Sequence, residues 1–206
     1  MRPNKTRRAL GAAALALLAL GGCAAGTPSG ARHKVAIVAK STTTEFWLSV
    51  FAGAEAAATE YNLELTVAGP ETEEDWYSQN RMVAEAVEDG AEALVFSAID
   101  YESNAEAIDE AAARGVRIVA IDSPVNSDAV QTYIGTDNYA AGQMAAQAAL
   151  DGVEGQLTVG IVNYDVSSAN GQERERGVLD AFEQSGRARV AAVINTRAEA
   201  ARAQAD

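Results

Sequence analysis

Most of the side chains in this sequence that could do chemistry are hydroxyls and carboxylates, whereas histidine and cysteine are scarce. The 206 residues include one histidine, His33, and one cysteine, Cys23. A Ser-His-Asp triad needs a histidine inside the fold, and His33 lies in a polar segment before the first predicted strand. A single cysteine excludes an internal disulfide framework and a multi-cysteine metal site. We therefore predict that the chain is not an enzyme.

Loops that bind nucleotides are also missing. The first predicted strand is followed by KSTTT at 40–44, which lacks the glycines that a dinucleotide pyrophosphate requires for close approach of the backbone. The sequence contains neither a P-loop lysine motif nor a G-x-S-x-G nucleophile elbow. No cofactor is therefore predicted.

The acidic run Glu73-Glu74-Asp75 could in principle bind a divalent metal. It follows Thr72, a residue suited to cap a helix, so the three acids would occupy the first helical turn. Negative charge in that turn is stabilised by the positive end of the helix dipole. The run therefore favours helix capping over a metal site.

The charge balance narrows the choice of partners. The chain has 16 basic and 29 acidic residues and a formal net charge of −13. Nucleic-acid binding needs a basic surface that neutralises phosphates, and electrostatic adhesion to anionic lipid needs a polybasic patch. We therefore predict no nucleic-acid partner and no polybasic membrane contact.

Residues 1–22 differ from everything that follows them. Four basic residues and no acid accompany an unbroken run of Ala, Leu and Gly at 9–20. This run is shorter than the roughly 20 apolar residues of a membrane-spanning helix, and a basic head with a short apolar body is typical of an export signal. We predict a signal peptide at 1–22 and, because residues 24–32 are small and polar, a flexible tether at 23–33.

The elements that must position the polar residues begin at Lys34. Short β-branched runs alternate with longer alanine-rich amphipathic segments, which predicts βαβ units and an α/β fold with doubly wound parallel sheets. The predicted strands are 35–39, 63–68, 93–96, 116–121, 132–134, 157–162 and 190–194. The predicted helices are 45–61, one beginning after Thr72, 102–114 with Gly115 just beyond its end, 138–150, 169–184 and one from about Arg197.

Ligands of such sheets bind outside the C-terminal ends of the strands, where loops lead into helices. The candidate loops are 40–45, 69–72, 97–101, 122–128, 135–137 and 164–169. They are rich in Ser, Thr, Asp and Asn, a composition that suggests a small polar ligand.

Five segments in order resemble the sugar-type, ribose-binding-like solute-binding proteins of bacterial ABC importers. They are VAIVAKSTTTEFW at 35–47, GAEALVFSAID at 90–100, GVRIVAIDSPV at 115–125, IGTDNYAAGQMAA at 134–146 and SSANGQERERGVLDAF at 167–182. The resemblance runs from Val35 to about Ile194. It implies a two-lobed type I periplasmic-binding fold, with lobe I at 34–135 and a partial lobe II at 136–206. Because the family's second lobe is longer, the chain is expected to be cut short at its C-terminus.

The segment LGGC at 20–23 resembles a bacterial lipobox, which implies that Cys23 is lipidated and becomes the N-terminus. The alternative is a lone buried cysteine that packs as a small hydrophobe. The resemblance implies a receptor anchored by lipid on the outer face of the cell membrane, which captures a monosaccharide-like ligand for an ABC permease. An alternative within the same fold is a sensory component that feeds a chemoreceptor or a two-component kinase.

The resemblance also implies a set of ligand contacts. Phe46 and Trp47 would sandwich the sugar ring, and the Asp122 carboxylate would accept hydrogen bonds from two hydroxyls. Arg176 would reach the ligand from the second lobe. The polar contacts would come from Ser41, Thr44, Ser97, Thr136 and Asp137.

Each of these assignments has a structural alternative. The two aromatic residues could pack as core under the first helix, and Asp122 could form an Asx-turn before Pro124. The Arg174–Arg176 run could be a solvated helix face. Ser123 stands where ribose binders usually carry Arg, so a ribose specificity is not predicted.

Overall fold

The computed structural model describes residues 32–196 and Gln204, which belong to one compact unit, Arg32–Asp206. The predicted signal peptide, Cys23, most of the tether and most of the helix predicted from Arg197 lie outside these residues. Among the described residues, no helix has both the length and the apolar character needed to cross a membrane.

The larger sheet has five parallel strands in the order β2-β1-β3-β4-β5. Their bounds are β1 Lys34–Val38, β2 Glu64–Ala68, β3 Ala93–Phe96, β4 Arg117–Ile121 and β5 Val130–Ile134. A second sheet within residues 32–196 pairs β6 Leu157–Asn163 with β7 Ala188–Asn195 in parallel. The predicted α/β class with doubly wound parallel sheets is confirmed.

Five helices within 32–196 connect these strands: α1 Glu45–Glu60, α2 Trp76–Glu88, α3 Ala105–Ala113, α4 Asn138–Asp151 and α5 Ala169–Ser185. Because side chains alternate along a strand, β1 sends Ala36 and Val38 to one face of the sheet and Ile37 to the other. The first face packs against α2 and α3, and the second packs against α1. A separate core joins α4 and α5 to the second sheet.

Two predicted helix starts need correction. Helix α2 begins at Trp76, because Asp75 rather than Thr72 is its N-cap and accepts a hydrogen bond from the Ser78 N–H at 2.9 Å. Helix α3 begins at Ala105 instead of 102, because Asp100 accepts from the N–H groups of two residues after it and holds a turn there. Gly115 has φ +91°, as expected of the residue that ends α3.

Candidate functional site

A cleft of about 480 Å³ opens at the carboxyl edge of the five-stranded sheet and is closed on its other side by residues that follow β6. This is the edge at which the sequence places the ligand loops. The cleft is lined by Ser41, Thr44, Phe46, Trp47, Glu71, Thr72, Glu73, Glu74, Asp122, Tyr164, Asn170 and Arg174.

Asp122 brings a carboxylate into this cleft from the end of β4. Its backbone has φ +57°, a left-handed conformation that aspartate tolerates better than most residues. Its Oδ2 accepts a hydrogen bond from the Ser97 hydroxyl at 3.0 Å, and its carbonyl accepts one from the Tyr133 hydroxyl at 2.7 Å. The carboxylate cannot close an Asx-turn onto Pro124, because proline has no N–H to donate. The side chain therefore remains directed to the cleft.

Lys40 lies behind Asp122 and is almost completely buried, with 2% of its surface exposed. Its Nζ lies 4.0 Å from Asp122 Oδ2 and donates to Asn170 Oδ1 at 3.4 Å. Burial lowers the pKa of the Lys40 ammonium, and the negative charges of Asp122 and Glu73 oppose that shift only in part. The site thus has a buried cation directly behind its carboxylate.

The two predicted aromatic contacts have different environments. Trp47 is 1% exposed and belongs to the core against α1, whereas Phe46 is 56% exposed. Their rings meet edge to face, with centroids 5.0 Å apart and planes at 83°. Both line the cleft, but they do not form the parallel walls of a sandwich. Phe46 offers the accessible ring face, whereas Trp47 packs in the core, which is the structural alternative for this residue.

Glu73 joins the two sides of the cleft. Its Oε1 accepts from Trp47 Nε1 at 3.1 Å, and its Oε2 accepts from the hydroxyl of Tyr164, which follows β6. Burial raises the pKa of the Tyr164 phenol, and the nearby charge of Glu73 raises it further. The phenol therefore stays protonated and donates to the carboxylate. Because α2 begins at Trp76, Glu73 is in the cleft and not in the first turn of a helix.

The predicted contacts divide into those inside the cleft and those outside it. Ser41, Thr44, Phe46, Trp47 and Asp122 line it, and Ser97 touches it through its hydrogen bond to Asp122.

Thr136 and Asp137 are exposed and lie outside the lining. Asp137 instead caps α4 by accepting from the Ala140 N–H at 2.9 Å. The Thr136 carbonyl accepts from the Asn138 side chain at 3.1 Å. In this structure both residues shape the start of α4 and do not reach the cleft.

The assignment of Arg176 also needs correction. Its guanidinium lies 5.0 Å from the centre of the Tyr139 ring and borders a separate cavity of about 250 Å³. Arg174 lines the cleft instead. Residues two apart on a helix point about 200° apart, so only one of these arginines can face the cleft.

Lys40, Glu73, Tyr164 and Asn170 were not predicted as site residues. Lys40 and Tyr164 do fall in the candidate loops at 40–45 and 164–169, so their positions directly after predicted strands could have identified them as candidates. Glu73 and Asn170 follow from no local pattern. Within the part of the chain that the structure describes, no three His, Cys, Asp or Glu side chains form a group that could hold a metal ion.

Known proteins resemble this chain in both sequence and structure. The D-ribose/D-allose-binding protein of Pseudomonas aeruginosa is 27% identical over 187 residues, which are 84% of this chain and 59% of that protein. A carbohydrate transporter solute-binding protein from Agrobacterium radiobacter, solved in complex with D-arabinose, is 28% identical with a TM-score of 0.78. An ABC transporter solute-binding protein from Agrobacterium vitis with bound D-fucose is 25% identical with a TM-score of 0.78.

The shared region covers 83% of this chain and 60% of the Agrobacterium radiobacter protein, and 82% of this chain and 60% of the Agrobacterium vitis protein. The chain therefore spans about three fifths of the length of these relatives. Residues 35–206 also match the family profile described as a periplasmic binding protein domain. The chain belongs to the periplasmic binding protein family.

Proposed function

We propose that this protein is an extracytoplasmic receptor that captures a sugar or a similar polyhydroxylated small molecule for an ABC importer. The observation that carries the proposal is the Asp122 carboxylate in a cleft that also exposes the ring of Phe46. A sugar ring has an apolar C–H face, which packs on an aromatic ring, and hydroxyls at its edge, which donate to a carboxylate. The cleft offers both partners together.

The size and the polar groups of the cleft agree with such a ligand. Small-molecule sites have volumes of about 300–1,000 Å³ and combine apolar walls with a few placed polar groups. The lining adds Arg174 as a hydrogen-bond donor, together with hydroxyls and the Asn170 amide. It also contains four carboxylates against one arginine, which favours a neutral sugar over a sugar phosphate.

The relatives support the same proposal, because one is named a D-ribose/D-allose-binding protein and two were solved with D-arabinose or D-fucose bound. The chain matches them over about three fifths of their length. We propose that residues 34–135 and 136–206 act as two lobes that close on the ligand. Closure would be favoured by contacts that the sugar makes only in the closed form.

The test is a titration of the protein, expressed from its whole gene without residues 1–22. The panel contains D-ribose, D-allose, D-arabinose, D-fucose and ribose 5-phosphate. Calorimetry is expected to show saturable binding of at least one neutral sugar and none of the phosphate. A fluorescence change that persists in Trp76→Phe and is lost in Trp47→Phe would be assigned to Trp47. Absence of a saturable response to every sugar would contradict the proposal.

We also propose that the receptor is anchored to the membrane by a lipid on Cys23, after removal of residues 1–22. The support is the lipobox-like segment LGGC at 20–23 behind an export signal. Cys23→Ala is expected to move the exported protein from the membrane fraction to the soluble fraction. Mass spectrometry of the N-terminal peptide should find the lipid on the unaltered protein, and an unmodified Cys23 there would overturn the anchor.

A further inference from the structure

Lys40 stands out from the other charged residues of residues 32–196 because it alone is buried. Only 2% of its surface is exposed. A buried charge is costly, and lysines of this kind are rare unless a partner compensates them. The question is what a cation at this position contributes that an apolar side chain of the same length would not.

The ammonium group contacts three separate parts of the chain. It lies 4.0 Å from the Asp122 carboxylate at the end of β4 and donates to Asn170 Oδ1 in the first turn of α5 at 3.4 Å. It also lies 5.6 Å from the centre of the Tyr164 ring, which follows β6. Lys40 therefore connects the five-stranded sheet with the elements of the second sheet.

The Asn170 side chain extends this connection. Its Oδ1 also accepts from the Ser123 hydroxyl at 3.3 Å, and Asn170 itself is 5% exposed. One amide oxygen thus receives donors from the ends of both β1 and β4. Because Ser123 directly follows Asp122, the network ends at the carboxylate proposed to bind the sugar.

The compensation of the Lys40 charge is incomplete. Desolvation outweighs the attraction from Asp122, Glu73 and Asp165, and Arg174 adds repulsion, so the pKa of Lys40 is lowered. A group whose pKa falls on folding makes the folded state less stable at every pH at which the unfolded chain is still protonated. The ammonium is therefore held against the cost of desolvation at a place beside the carboxylate that lines the cleft.

We propose that Lys40 is a positioning residue, whose ammonium holds the Asp122 carboxylate towards the cleft and, through Asn170, ties the two sides of the cleft in the closed form. This inference rests on the proposed sugar-binding function. It assigns to Lys40 an indirect contribution to affinity, made through Asp122 without contact to the sugar.

The test is Lys40→Met, which keeps the length of the side chain and removes the charge. We expect sugar affinity to fall about tenfold, because an Asp122 carboxylate that the ammonium no longer holds towards the cleft would form weaker charge-assisted hydrogen bonds to the sugar. The melting temperature without sugar is expected to stay the same or rise. Asp122 does not become a stranded buried charge, because 26% of its side chain is exposed and it borders the cleft.

Lys34→Met is the matched control. The Lys34 side chain is 46% exposed, and its Nζ lies 3.9 Å from Glu64 Oε1. The same substitution at this exposed position should change neither sugar affinity nor melting temperature appreciably. The double variant Lys40→Met/Asp122→Asn tests the coupling. If Lys40 acts through Asp122, its removal should cost much less affinity once the carboxylate is gone.

The outcomes separate the two proposals. If the unaltered protein binds no sugar of the panel, the proposed function fails and the Lys40 proposal fails with it. If the protein binds sugar but Lys40→Met binds it equally well, only the Lys40 proposal is overturned. A lower melting temperature of Lys40→Met would show a structural role and would also overturn the Lys40 proposal. The same conclusion would follow if the affinity lost in the double variant equalled the sum of the losses in Lys40→Met and Asp122→Asn.

Discussion

Replacing Asp122 by glycine is expected to lower sugar affinity at least about a hundredfold while leaving the fold intact. Charge-assisted hydrogen bonds contribute roughly 1.5–3 kcal/mol each, and a carboxylate in the cleft can accept two of them from neighbouring hydroxyls. Losing both costs about 3 kcal/mol or more, which is a factor of at least about a hundred in the dissociation constant.

The choice of glycine follows from the backbone of this residue. Asp122 has φ +57°, a conformation that costs an alanine roughly 1–2 kcal/mol but that glycine adopts freely. Both Asp122→Ala and Asp122→Gly are expected to lose affinity and, because each removes the negative charge beside the buried Lys40 ammonium, some stability; the additional backbone cost falls on Asp122→Ala alone. Calorimetry with the best sugar of the panel measures the affinity, and urea unfolding measures the stability.

Asp122→Asn provides the second control, because asparagine also tolerates the left-handed conformation. It keeps the shape of the side chain and one acceptor oxygen but removes the charge, so an intermediate loss of affinity is expected. Sugar affinity that is unchanged in Asp122→Gly would mean that the ligand does not bind at this carboxylate, even if the protein binds it elsewhere.

The order of strands and helices follows from the sequence because hydrophobic periodicity reports burial directly. The run VAIVA at 35–39 is apolar on both faces, and β1 is covered on both faces in the structure. The start of α2 is harder to predict, since Thr72 and Asp75 are both good caps and only the fold decides between them. That decision has a consequence for the site, because it leaves Glu73 in the cleft.

The site is only partly readable from the sequence, because its members depend on helix orientation and on contacts between distant segments. The sequence alone does not reveal that Arg174 faces the cleft and Arg176 faces Tyr139. The orientation of α5 is set by its packing on α4, where the backbone carbonyls of each helix lie against Gly142 and Gly177 of the other. The partnership of Lys40 with Asn170 spans 130 positions of sequence and has no local signature.

Trp47 and Phe46 are adjacent in sequence but are expected to respond to alanine in opposite ways. Trp47→Ala should lower the free energy of unfolding by about 3–5 kcal/mol, as is usual for a large buried aromatic residue. Its ring is 1% exposed, lies 6.2 Å from the Phe51 ring and packs beside Ile37 under α1. The same substitution also removes the donor to Glu73 at the edge of the cleft.

Phe46→Ala should instead change stability by less than about 1 kcal/mol and lower sugar affinity about tenfold. The Phe46 ring is 56% exposed, so little of its burial depends on folding. Covering its remaining surface with a sugar would contribute roughly 1.5 kcal/mol, about a factor of ten in affinity. Urea unfolding and calorimetry on the same two variants separate the effects.

The conservative variant Trp47→Phe separates the packing of the Trp47 ring in the core from its hydrogen bond to Glu73. It retains an aromatic ring in the core, so most of the stability should return, but it cannot donate to Glu73. If Trp47 Nε1 helps to hold Glu73 where it meets Tyr164, Trp47→Phe should still bind sugar more weakly than the unaltered protein. Full recovery of affinity would limit Trp47 to core packing. A larger loss of stability in Phe46→Ala than in Trp47→Ala would contradict the assignment of the two rings altogether.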